Sequence, residues 1–293
     1  MDASERFICG NLGTDARGRL TFAGQDTAAL AAQYGTPLYL MDEDRIRRNC
    51  RVYTASFAAH FPAGSRVLYA SKACSFREMY RIVQQEGLGV DVVSSGEILT
   101  AREAGFDLGS AYFHSNNKTD SDIRFAMECG VGCFVADSTD EIAAIEAAAA
   151  GMGLRQPVLL RLTPGIDPHT YAAVATGQVD SKFGTVIETG QAEQAVRFTL
   201  AQPHVELMGF HCHVGSQVFH EDVFERTAEV MLTFVARMQQ DLGFCTRQLD
   251  LGGGYGVRYV PGDPHVDIAE KLAVLGRTIG TLCARLGIDA PAI

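Results

Sequence analysis

From about residue 65 onward, short apolar runs alternate with longer stretches whose apolar residues recur at roughly helical spacing, the pattern of parallel strands joined by helices. The strands predicted are SRVLYAS (65–71), LGVDVVS (88–94), AYFHS (111–115), GCFVAD (132–137), PVLLRLT (157–163), VELMGFHCHV (205–214) and RQLDLGG (247–253). Helices are predicted at 76–86, 96–104, 120–129, 138–151, 189–201, 221–242 and 267–286, with Ser75, Asp120 and Ser138 as N-caps.

Polar residues close one strand after another: Lys72, Asp91, His114, Asp137, Arg161, His213 and the glycines after Asp250. From Lys72 to Arg161 they recur every 19 to 24 residues, one strand, one helix and two turns per step. In a (β/α)₈ barrel the C-terminal ends of the strands form the rim on which chemistry is placed. The expected fold is therefore α/β, a TIM-type (β/α)₈ barrel. Seven units are counted, and Pro291-Ala292-Ile293 reads as the first residues of strand eight. An open apolar sheet edge is avoided in folded proteins, so the barrel is expected to be truncated at strand eight or completed by something further. The segment TPGIDPHTYAAVATGQVDSKFGTV is inserted ahead of His213.

Residues 1–42 differ in kind: a hairpin (ERFICGNLG, TDARGRLTFAG), a helix (TAALAAQYG) and a strand (PLYLMD). They are expected to belong to a second, β-rich domain outside the barrel, being too few for a core of their own. The barrel domain is taken as 43–293, with a C-terminal β domain absent.

Composition narrows the function. With 47% hydrophobic and 20% charged residues the chain is ordinary globular protein. The net charge of −10 disfavours binding to nucleic acid or to an anionic membrane surface, so any anion must be met locally. The eight cysteines are scattered without a C-x-x-C, and the N-terminus lacks the apolar core of a signal peptide. Reduced thiols and a cytoplasmic location are expected. Cys129 and Cys133 read as core rather than as a redox or metal pair, and IAAIEAAAAGMG is too short to span a bilayer.

Lys72 ends an apolar strand, VLYASKA. A rim lysine can simply reach water and pair with an acid; partly buried beside a carbonyl compound, it becomes a Schiff-base lysine. LDLGGGYG (249–256) removes three consecutive Cβ atoms at a strand end, so backbone N–H groups can converge on an anion, although glycines also make plain tight turns. Barrels commonly hold phosphate after strands seven and eight. In GFHCHVGSQ (209–217), His211 and His213 share a strand face. Zinc would require a third ligand that the sequence does not supply. A buried structural role suits His211, and an imbalance-free neutral ring at His213 can lie against an aromatic ring. Ser216 adds a hydroxyl. Lysine, glycine cradle and stacking histidine together fit pyridoxal 5′-phosphate, its aldehyde on Lys72 and its phosphate at Gly253, Gly254 and Ser216.

With these residues the chain resembles the alanine-racemase-like (fold type III) pyridoxal-phosphate decarboxylases. The resemblance runs through eight ordered blocks: YGTPLYL (34–40), YASKA (69–73), VDVVSSGEI (90–98), HSNNKT (114–119), LRLTPGIDPHT (160–170), TGQVDSKFG (176–184), GFHCHVGSQ and LDLGGGYG. It implies that Lys72 carries the cofactor, that His213 stacks on its ring, and that Ser216, Gly253 and Gly254 bind the phosphate. Asp91 and Arg161 are implied near the ring and its 3-hydroxyl, and Lys182 near a partner subunit, since family members pair as homodimers with shared active sites. Ser115 stands where glycine is usual and Tyr171 where histidine is common. The family's glutamate-proline-glycine-arginine block on strand eight and its C-terminal β domain are not in the sequence.

The resemblance implies decarboxylation of a small-molecule amino acid with a distal charged amine. TGQVDSKFG and HCHVGSQ favour meso-diaminopimelate, going to L-lysine and CO₂, over arginine, ornithine or carboxynorspermidine. A non-catalytic pyridoxal-phosphate-binding barrel and an interaction protein derived from the enzyme are the other readings. The 293 residues alone are expected to be nearly inactive, because losing a preorganised partner of the pyridine nitrogen costs on the order of 10²–10³ in rate.

Overall fold

In the computed structural model, residues 9–168, 170, 174–177, 182–220 and 222–293 are described. The chain opens with a small antiparallel sheet of β1 (Leu12–Thr14), β2 (Leu20–Phe22) and β3 (Gln25–Asp26), followed by α1 (Thr27–Tyr34). The first part of ERFICGNLG, residues 5–8, lies outside the described residues. PLYLMD is not a strand: Tyr39 is 96% exposed, and among the described residues no strand lies beside it to pair with. A helix absent from the sequence reading follows at once, α2 (Glu43–His60), capped by the Asp42 carboxylate, which accepts from Arg45 N at 3.1 Å. Its signal was present, since Ile46, Cys50, Tyr53 and Phe57 recur at helical spacing on one face.

All seven predicted barrel strands form, with ends shifted by a few residues: β4 (Leu68–Ala70), β5 (Gly89–Val92), β6 (Ala111–Phe113), β7 (Cys133–Ala136), β8 (Gln156–Thr163), β10 (Val205–His211) and β11 (Gln248–Asp250). They pair in parallel in that order, and the short β9 (Thr185–Val186), inside the inserted segment, pairs with the end of β8. The seven predicted helices are α3 (Arg77–Gln85), α4 (Ser95–Glu103), α5 (Asp120–Glu128), α6 (Thr139–Met152), α7 (Gln191–Leu200), α8 (Val223–Leu242) and α9 (Ile268–Leu286). The sheet is an incomplete TIM-type barrel. Between its two outer strands lie the last residues of the chain: Ala292 bridges Gln248 in parallel, and Arg66 N donates to Ile293 O at 2.9 Å.

Two of the three expected caps are different. Ser138 does accept from Glu141 N and caps α6. Asp120 is instead the first helical residue of α5, whose cap is Thr119 in a reciprocal box with Asp122, an arrangement that satisfies two end donors at once. Ser75 is drawn off to the Tyr80 hydroxyl at 2.9 Å, leaving α3 without a side-chain cap.

Alternation along each strand separates two cores. Val90, Val92, Phe113, Phe134, Val158, Leu160 and Phe210 face the helices. Tyr112, Cys133, Val135 and Leu159 make a smaller cluster inside the barrel, where the Tyr112 hydroxyl donates across the interior to Gln248 Oε1 at 2.9 Å. Asp91 and Arg161 stand at alternate positions to the outward residues of β5 and β8, so the same periodicity that buries the wall turns these charges inward. All eight cysteines are free thiols, and Cys133 is core as expected.

Candidate active site

Beyond β4 the chain enters a short 3₁₀ turn, Ser71–Ala73, which leaves Lys72 exposed at the rim. Ser71 is fully buried and anchors that turn: its hydroxyl contacts both Asp91 O, at 2.9 Å, and Glu97 Oε2, at 2.5 Å. Glu97 also accepts from Val93 N at 2.9 Å. The lysine therefore leaves a fixed platform, although it is more open to water than a buried Schiff-base lysine was expected to be.

Below it, Asp91 Oδ1 lies 3.1 Å from His114 Nε2 without hydrogen-bond alignment. Burial, helped by the charge of Asp250, holds the Asp91 carboxyl well above the ordinary range, while Lys72 and Arg161 oppose that shift. Arg161 is buried, lies 4.2 Å over the Phe183 ring and has Asp137 Oδ1 at 3.7 Å; burial lowers its pKa. Asp137 in turn accepts from Gly184 N at 3.0 Å, seating the end of the inserted segment on β7 and β8.

His213 follows β10, with its carbonyl held by the Thr176 hydroxyl at 2.7 Å. Burial first, then Lys72 and Arg161, pull its pKa down to about 3, so its ring is neutral at ordinary pH. The glycine bend packs against it: Gly253 N points to His213 Nδ1 at 3.5 Å. At Gly254, φ is +100°, and a Cβ would lie 1.9 Å from Gly215 O; at Gly252, φ is +72°, and a Cβ would lie 2.6 Å from Cys212 O. Only glycine permits that approach. Gly253 has open space where its Cβ would be. Ser216 lines the same space, and its backbone N–H donates to Val174 O at 3.2 Å, leaving the hydroxyl as the group the sequence reading assigned.

Lys72, Asp91, Arg161, His213, Ser216, Gly253 and Gly254 all line one cavity of about 1020 Å³. The geometry brings every predicted site residue to one place. Lys182 also lines it, whereas Tyr171 and Ser181 lie outside the described residues.

Further groupings were not foreseen from the sequence. His114 and His211 meet edge to face, ring centroids 4.5 Å apart, and burial holds both rings neutral. Asp250, pushed up to about 6 by burial, is 3.9 Å from His114. His211 thus has the companions for a metal site that the sequence did not reveal, but they are His114 and Asp250 rather than His213. The last group is the set of acids at the third position of successive helices, Glu97, Asp122 and Glu141. Their signal, Ser-x-x-Glu at 94–97 and 138–141, was readable.

The residues fit a pyridoxal-phosphate-sized ligand. An amine, a bend that only glycine can form and a neutral imidazole line the same cavity. The buried Asp91 Oδ1 has no hydrogen-bond partner among the described residues. Such a fold and site define a pyridoxal-dependent barrel. Residues 43–293 match the family described as pyridoxal-dependent decarboxylase, pyridoxal binding domain, and the chain belongs to that family. It is similar to the diaminopimelate decarboxylase of Bacillus subtilis, 38% identical over 98% of this chain and 65% of that protein. It is also similar to that of Corynebacterium efficiens, 40% identical over 94% of this chain and 59% of that protein. Among solved structures, diaminopimelate decarboxylase from M. jannaschii in complex with L-lysine superposes with a TM-score of 0.86 at 28% identity, covering 97% of this chain and 65% of that one. The chain thus spans 59–65% of the length of these relatives.

Proposed function

We propose that this chain supplies the cofactor-binding part of a diaminopimelate decarboxylase, which converts meso-diaminopimelate to L-lysine and CO₂. The observation that carries the reading is the meeting of Lys72, His213 and the Gly252–Gly254 bend in one cavity, in a chain whose relatives bear that name. Bound there, pyridoxal phosphate supplies an electron sink for the pair left on the substrate Cα as CO₂ departs.

The chain's own residues have separate tasks. Lys72 presents its amine to the cofactor aldehyde. His213, uncharged down to about pH 3, lies flat against the ring without competing for a proton. The open side of Gly253, the Gly254 backbone and the Ser216 hydroxyl take the phosphate. Arg161, oriented by Asp137 and Phe183, and Asp91 face the ring and its 3-hydroxyl. Residues 1–42 belong with a second, β-rich domain, the working form is a cytoplasmic homodimer with shared sites, and the 293 residues assayed alone turn over little. Among the described residues no helix is long and apolar enough to cross a membrane.

The test is a titration of the chain with pyridoxal phosphate followed by visible absorption, then with meso-diaminopimelate, ornithine or arginine. We expect a new band that is lost in Lys72→Ala and perturbed most by meso-diaminopimelate. A folded chain that develops no band would overturn the proposal; a stronger response to ornithine or arginine would overturn its substrate.

A further inference from the structure

Behind the β6–β8 sector of the rim lies a line of buried charges that ends on Arg161 and begins at a lysine the proposed chemistry does not use. Lys118 has no exposed side-chain surface, and its ammonium contacts three acceptors: Ser115 O at 2.8 Å, Val135 O at 2.8 Å and Glu141 Oε1 at 2.7 Å. An ammonium has three protons, so this one is fully satisfied. Glu141, 8% exposed, uses its other oxygen to accept from Asp137 N at 3.1 Å. Asp137 then divides between Arg161 and Gly184 N. Two anions lie between two cations, so the row is neutral as a whole.

A buried pair of this kind is weak evidence for stability, because well-packed apolar side chains often do as well in its place. Position offers the better account. Two of the three acceptors of Lys118 belong to the barrel wall near the rim. Val135 is in β7, and Ser115 follows β6 with φ of +118°, a conformation that a non-glycine residue adopts only when its surroundings enforce it. Ser115 and Asn116 both line the cavity, as does Arg161 at the far end of the row.

Resting on the cofactor site proposed above, we infer that Lys118 is a positioning residue for that site: it fixes the Ser115–Asn116 wall directly, and the Arg161 side chain through Glu141 and Asp137. It touches neither cofactor nor substrate.

The experiment compares wild type, Lys118→Met and the double variant Lys118→Met/Glu141→Leu for melting temperature and for pyridoxal-phosphate affinity by absorption. Lys118→Met leaves Glu141 buried and unpaired, so its melting temperature falls. The double variant removes both charges and recovers most of that loss, yet binds cofactor roughly tenfold more weakly than wild type, the size of a typical coupling between neighbouring groups. A merely structural pair predicts that affinity recovers together with melting temperature, and that result overturns the inference. Should the double variant not fold, Asp137→Asn reads the row from its other end: its amide oxygen still accepts from Gly184 N, and affinity is expected to fall while melting temperature changes little. Unchanged affinity there also overturns it. If wild type itself captures no cofactor, the proposed function fails first and this inference with it; capture by wild type with unaltered affinity in the variants sinks the inference alone.

Discussion

Between β4 and β8 the rim is fixed by side chains, whereas from β10 to β11 it is fixed by backbone. In the first sector an acid at the third position of α4, α5 and α6 reaches back to the preceding unit: Glu97 takes Ser71, Asp122 takes Ser95 and Glu141 takes Lys118. In the second, Gly254 passes beneath Gly215, Val218 N donates to Gly254 O at 2.9 Å, and Gly256 N donates to Val218 O at 2.9 Å. A side-chain clamp can be exchanged for another that fills the same space. A backbone contact with no room for a Cβ cannot, and so the glycine-built side of the cavity is the less tolerant of the two.

The sharpest contrast is predicted within the glycine bend. Gly254→Ala, whose methyl would meet Gly215 O, is expected to cost about 4 kcal/mol or more by urea unfolding, whereas Gly253→Ala, with open space, stays within about 0.5 kcal/mol. If the two cost the same, the close approach does not govern this sector. Next in size is Lys118→Met in the clamped sector, expected to cost about 3–5 kcal/mol because it strands a buried carboxylate.

A pH series separates the sectors in a different way. His213 has a folded pKa of about 3 against an ordinary 6.5, so in that window the unfolded chain takes a proton that the folded chain refuses. The stability its neutral ring contributes is complete above about pH 6.5 and is lost as pH falls toward 3; His114 and His211 act in the same direction. Asp91, Asp137, Glu141 and Asp250, with raised pKa values, act in the opposite one, so the ring's share is read from the difference between wild type and a His213 variant. His213→Gln is expected to flatten the acid side of the stability curve by a few kcal/mol. An unchanged slope would mean that the ring is not held neutral. The smallest effect is expected at Ser115→Gly, which relieves the positive φ and should stabilise by about 1 kcal/mol.

How much of this was legible follows from which forces are local. The barrel wall was readable because strand and helix periodicity are local. PLYLMD misled because apolar alternation states what a segment can do, and among the described residues no strand pairs with it. α2 went unread although Ile46, Cys50, Tyr53 and Phe57 recur at helical spacing, because its other positions are charged or polar. Lys72, His213 and the glycines were readable as residue types at strand ends. The His114–His211–Asp250 group was not, since it joins three strands far apart in sequence whose proximity exists only once the sheet has curled. Lys118 carried no signal at all: a lysine in HSNNKT looks like a loop residue until its burial is known.

The most direct measurement of the central claim is peptide mapping after borohydride reduction in the presence of pyridoxal phosphate. Trypsin ordinarily cuts after Lys72; with a pyridoxyl group fixed on that nitrogen the cut is blocked, and residues 67–77 appear as a single peptide carrying the added mass. The account predicts that peptide, and its disappearance when inorganic phosphate is supplied in excess to compete at the glycine bend. Added mass on other lysines with Lys72 unmodified would contradict it.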